Sequence, residues 1–129
     1  HRRWRIHEAA VSNTTEPIRF AMGQFAEGRA AVEEDDTITV PCADVFAFAG
    51  SQRIDLIKVD IEGGEWPILT DARLAQLPVR VLVMEWHEHR CPHPSPRAYA
   101  RDLLAAAGFA HQCHERSRFA SNGLLWAWR

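Results

Sequence analysis

Residues 54–67 run from an apolar segment straight into acids and glycines, and no other stretch limits the possible folds as much. Ile54, Leu56, Ile57, Val59 and Ile61 make a largely β-branched, nearly continuous apolar run, the pattern of a parallel strand covered by helices on both faces. Asp60, Glu62 and Glu65 collect at its carboxyl end, the edge at which open α/β sheets bind ligands. Pro67 stands where it can take the first position of a following helix.

The rest of the chain extends this pattern. A helix is expected over 67–76, a strand over 79–86, a helix capped by Ser95 and Pro96 and ended by Gly108, and closing strands over 109–115 and 124–128. Strand, helix, strand, helix implies a parallel sheet, and the last two strands an antiparallel edge. In the last helix Tyr99, Leu103 and Ala106 or Ala107 recur at spacings that suit packing on the sheet. Upstream, strands are expected over 4–11, 18–22 and 37–40, with helix or turn over 44–48. Between them, residues 23–36 read as a solvated loop carrying the acid run 33–36.

With 47% hydrophobic and 25% charged residues the chain has an ordinary globular composition, and 129 residues suffice for one core. A formal charge of −2 gives no electrostatic case for nucleic acid or an anionic membrane. No apolar run approaches the roughly 20 residues that span a bilayer, and the start is too polar for a signal peptide. Cys42, Cys91 and Cys113 are odd in number and widely spaced, which fits reduced thiols and a cytoplasmic setting.

The central segment resembles the FkbM-like family of S-adenosylmethionine-dependent methyltransferases, whose fourth sheet strand reads Ile-Lys-Val-Asp-Ile-Glu-Gly-x-Glu. Lys58, Asp60, Glu62, Gly63 and Glu65 match in place. Cys42-Ala43-Asp44-Val45-Phe46 is similar to the family's Thr-Leu-Asp-x-Leu element. Residues 81–87 are similar to its next strand, which ends Glu-x-His at Glu85 and His87. Residues 8–12 are similar to the strand end that follows its ribose-binding strand. Gly64, Ala43 and Asp71 depart from the family pattern, and none of them is a candidate catalytic group.

The resemblance implies an α/β fold with a partial Rossmann-like, class I methyltransferase sheet, mostly parallel with an antiparallel carboxy-terminal edge. The family's glycine-rich cofactor loop and ribose-binding acid are not in these residues, so 1–129 reads as the carboxy-terminal part of a single methyltransferase domain. The family's strand order then leaves the strand over 54–61 with an open apolar edge. Either the strand near Trp4 covers it or the chain self-associates, and the oligomeric state is left open.

The implied reaction is methyl transfer from S-adenosylmethionine to a hydroxyl of a small-molecule or glycan acceptor. Such a reaction needs the nucleophile held in line and its proton removed. Asp60, Glu85 and His87 are the catalytic candidates, and His87 has the pKa best matched to neutral pH. Ala10, Asp60, Glu62 and Gly63 are the candidate cofactor contacts, and Glu65 and Trp86 the candidate acceptor contacts. No metal ligand is assigned.

Plainer roles stand beside these. Lys58 and Asp60 share strand parity and suit an internal pair. Glu62 and Glu65 suit the positive end of the next helix, and Gly63 and Gly64 a turn that needs positive φ. His87, His89, Cys91 and His93 alternate, but Pro92, Pro94 and Pro96 interrupt any regular strand that would align them on a metal. Trp66, Trp86, Trp126 and Trp128 read as packing residues. Two other function classes remain open on the sequence: a non-catalytic interaction remnant, and a divalent-metal hydrolase using Asp60, Glu62, Glu85 and His87.

Overall fold

A computed structural model describes residues 4–21, 29–30, 37–115 and 121–129. The order is β1 (Ala10–Ser12), β2 (Ile18–Ala21), β3 (Arg29–Ala30), β4 (Thr37–Val40), β5 (Cys42–Asp44) and α1 (Val45–Ala49). There follow β6 (Ile54–Val59), α2 (Glu65–Leu69), a 3-10 helix (Ala72–Gln76), β7 (Val79–His87), α3 (Pro96–Ala106), β8 (His111–His114) and β9 (Asn122–Trp128). The result is an α/β fold with mixed sheets. The largest sheet has the order β6-β7-β9-β8, beside a β3-β2-β4 sheet and a β1-β5 pair. Among the described residues, no helix is long and apolar enough to cross a membrane.

The strand pairings fix which side chains share a face. β6 pairs with β7 in parallel, with Ile57 opposite Leu82 and Val59 opposite Met84. β9 returns antiparallel, setting Leu125 opposite Met84 and Ala127 opposite Leu82. This face packs on α1, α2 and α3 through Phe46, Trp66, Ile68, Ala100 and Leu104. Complete burial of Leu104, Phe109 and Leu125 stabilises by about 1.5–3 kcal/mol for each side chain.

The opposite face carries Leu56, Lys58, Val81, Val83, Trp126 and Trp128, as the same register requires. There Leu56 is 55% exposed and both tryptophans 38%. The expectation of helices on both faces is therefore corrected, because among the described residues α1, α2 and α3 supply one layer only. Trp126 and Trp128 differ accordingly from the buried Trp66 and Trp86. The antiparallel edge formed by β8 and β9 is as expected.

Other boundaries shift for local reasons. The strand expected from residue 4 begins only at Ala10, where it pairs in parallel with β5. Trp4 and Ile6 are exposed, and β6 is hydrogen-bonded to β7 alone among the described residues. Most of the loop expected over 23–36, with its acid run, lies outside the described residues, while 29–30 form β3.

The helix expected over 67–76 is broken. Thr70 Oγ1 bonds back to the carbonyl of Trp66, and Asp71 caps the 3-10 helix by accepting from Arg73 N. Pro67 lies third in α2, inside the first turn, where its missing N–H costs nothing. In α3 the most buried positions are Ala100 and Leu104, flanked by Tyr99 and Leu103, and the Ser95 side chain makes no capping bond. Gly108 follows with φ 89°, the conformation expected at a helix end.

Arg73 ties the β1-β5 pair to this core. Its guanidinium bonds Asp44 at 2.7 Å, Asp71 at 2.8 Å and the Asn13 carbonyl at 2.7 Å. It also lies 4.5 Å from the centroid of the Phe46 ring.

Candidate functional site

Parallel pairing carries β6 and β7 to the same end of the sheet, where the chain leaves β6 at Asp60 and β7 at His87. The turn into α2 takes φ 50° at Glu62 and φ 90° at Gly63, whereas Gly64 stays at φ −79°. Positive φ thus falls at Glu62 and Gly63 rather than at the glycine pair. The turn closes with Gly64 N donating to the Ile61 carbonyl at 3.1 Å.

Three side chains meet there. One ligand-type atom from each of Asp60, Glu62 and His87 lies within 4.8 Å of the others. His87 Nε2 is 3.4 Å from Glu62 Oε2, and its Nδ1 is 2.9 Å from Glu65 Oε1. A carboxylate only accepts, so Nδ1 is the donor to Glu65 when it carries the hydrogen, and Nε2 lies toward Glu62. The Ile61 N–H also points at Glu65 Oε1, at 3.4 Å. Glu65 is 1% exposed, and its Oε2 has no hydrogen-bond partner among the described residues.

The hydrogen bond to Glu65 raises the pKa of His87. Burial opposes it, and the charges of Glu65, Glu62 and Glu85 add to it. The Trp66 indole holds the His87 backbone carbonyl at 2.9 Å. Glu85 lies on the same face of β7 as His87, and its Oε1 accepts from Asn122 Nδ2 at 3.0 Å. Lys58 Nζ meets Asp60 at 2.8 Å in an exposed pair, in keeping with their shared parity.

The structure thus brings Asp60, Glu62 and His87 together, with Glu85 on the same face of β7, and places Glu65 behind His87, away from solvent. Trp86 projects to the other face of β7, where its ring covers Gly123. It lines a cavity of about 540 Å³ with Arg97, Arg101 and His114. Ala10 pairs with Cys42 on β1 and lines a separate cavity with Phe20 and Val40. Gly63 faces the ring of His89, whose Nε2 would lie 2.5 Å from an added Cβ. Burial, then the charges of His87 and Arg90, lowers the pKa of His89.

Around this turn a cavity of about 370 Å³ is lined by Val11, Ser12, Gly63, Gly64, Trp66 and Arg90, among others. His93 stacks on Tyr99, so the alternating histidines do not form one ligand set among the described residues. Sequence reasoning did not single out Asn122. Its only available signal was the antiparallel register that sets it opposite His87.

Fold and site together define an α/β protein with an acid–imidazole cluster at the carboxyl ends of two parallel strands. The Methyltransferase FkbM domain family matches residues 5–110, a span that contains β6, α2 and β7 with Asp60, Glu62, Glu65, Glu85 and His87. The chain belongs to this family, and the membership supports methyltransferase activity. No curated protein and no solved structure gives a match.

Proposed function

We propose that this chain is part of an S-adenosylmethionine-dependent methyltransferase domain that methylates a hydroxyl oxygen of a small-molecule or glycan acceptor. The observation that carries this reading is the placement of His87 Nε2 beside Asp60 and Glu62 at the strand ends. The order β6-β7-β9-β8, parallel and then antiparallel, supports a partial Rossmann-like class I sheet. The edge of β6, open among the described residues, supports reading residues 1–129 as the carboxy-terminal portion of that domain. Three free cysteines support a reducing, cytoplasmic setting.

The donor set suits the cofactor in part. Asp60 and Glu62 are carboxylates with side chains 35% and 38% exposed, suited to a cationic group. Gly63 offers no open cradle, since His89 occupies that side. When bound, S-adenosylmethionine supplies an electrophilic methyl group on sulfur. The chain's own work is to orient the acceptor and take its proton. His87 Nε2 accepts the hydroxyl proton, and Glu85, held by Asn122, accepts a hydrogen bond from a neighbouring polar group of the acceptor.

The test, run on the whole methyltransferase domain, is transfer of an isotopically labelled methyl group from S-adenosylmethionine to a panel of hydroxyl and amine acceptors, read by mass spectrometry, with His87→Gln in parallel. The expected result is labelled ether product and a loss of about 10²–10⁴-fold in the variant. Labelled amine alone, or an unimpaired variant, would overturn the reading.

A further inference from the structure

We propose that Glu65 is the positioning residue of this site: buried beneath His87, it holds the hydrogen on Nδ1 and leaves Nε2 as the nitrogen that takes the acceptor's proton. This inference rests on the methyltransferase reading above and assigns Glu65 a role other than acceptor contact. An acceptor cannot reach a side chain with 0% of its surface exposed, and the 2.9 Å contact of Oε1 is with the imidazole.

Three features fit Glu65 to this role. Its position is fixed by the first turn of α2 and by the Ile61 N–H, so the carboxylate does not follow solvent. The strand end that carries His87 is held as well, because the Trp66 indole bonds the His87 backbone carbonyl. Among the described residues Glu65 Oε2 has no partner, and His87 is the ionisable group that Glu65 contacts. A buried carboxylate against Nδ1 stabilises the imidazolium that forms on proton uptake and disfavours the tautomer with hydrogen on Nε2. Glu62, Asp60 and Glu85 face the same imidazole from the turn and from β7, and His89 lies against it at 6.2 Å between ring centroids. Of these, Glu65 alone reaches Nδ1.

Nitrogen-15 NMR of the histidine rings, on the intact chain without cofactor or acceptor, tests the assignment. Above its titration, His87 in the wild type is expected to carry hydrogen on Nδ1, a result that needs no variant. In Glu65→Gln the amide oxygen still accepts from Nδ1, so the tautomer is kept. With the charge gone, the His87 titration midpoint should fall by roughly one unit or more. In Glu65→Ala the preference for the Nδ1 tautomer should be lost.

Hydrogen on Nε2 in the wild type, or a Glu65→Gln midpoint unchanged within about 0.3 units, would overturn the proposal. An unchanged midpoint would leave proton uptake by His87 Nε2 standing, whereas hydrogen on Nε2 would remove that nitrogen as the proton acceptor and leave methyl transfer itself untouched. An intact tautomer without transfer to any hydroxyl would instead sink the activity.

Discussion

Trp66 donates its indole N–H to the backbone carbonyl of His87 at 2.9 Å, and this bond between α2 and the end of β7 is buried. It joins the helix that supplies Glu65 to the strand that supplies His87. Trp66→Phe keeps an aromatic ring in the core but leaves a buried carbonyl without that donor, at a cost of about 1–3 kcal/mol. Urea denaturation should show a lower midpoint with an unchanged m-value. An unchanged midpoint would mean that the bond adds nothing to stability.

Gly63 cannot become alanine without penalty. At φ 90° an L side chain is strained, and the new Cβ would fall 2.5 Å from His89 Nε2. Gly63→Ala should destabilise by more than about 1 kcal/mol. Adding His89→Ala should recover the steric part and leave the backbone part. Full recovery in the double variant would show that φ contributes no strain.

Much of the site could be read from the chain because its parts lie in two short segments of strong pattern. The apolar run ending at Asp60 and the second ending at His87 specify parallel strands, and parallel strands share one end. The split between Glu65 and Trp86 was harder to read. Trp86 follows Glu85 and precedes His87, so strand alternation already sends it to the other face. Glu65, however, looks like an ordinary acid at a helix start until packing closes over it. The single helical layer was hidden as well. Leu56 and Val59 are both apolar, and only the placement of α2 and α3 decides which of the two is covered. The break at Thr70 and Asp71 arises from side chains bonding to backbone, which apolar periodicity does not register.

Stability should peak in mildly acidic solution. The pKa of His87 is raised, so its pairing with Glu65 is fully present below the unfolded value of about 6.5 and is lost as pH rises through the folded value. On the acid side, the hydrogen bond from Arg73 holds Asp71 well below the usual carboxylate range. Asp44 is lowered too, burial being outweighed by its bonds to Arg73 and to the Phe46 and Ala47 N–H groups. That contribution is present above about pH 4 and lost as pH falls toward the folded values. Urea midpoints measured from pH 3 to pH 9 should decline at both ends. Methyl transfer should behave differently, rising with pH as His87 loses its proton. A midpoint constant from pH 6 to pH 9 would remove the His87 contribution.

Asp60, Glu62 and His87 are close enough to share a divalent ion, yet their present partners argue for protons over metal. An ion would have to displace Lys58 from its 2.8 Å contact with Asp60 and compete with a proton on an imidazole made more basic by Glu65. It would also occupy Nε2, the nitrogen needed to accept the hydroxyl proton. Treatment with EDTA is therefore expected to leave the rate of methyl transfer unchanged within about twofold, with no gain on adding Mg²⁺ or Mn²⁺. A collapse in rate that either ion restores, and that Glu62→Gln makes harder to restore, would turn His87 from proton acceptor into ligand. The acceptor hydroxyl would then be activated by a bound cation.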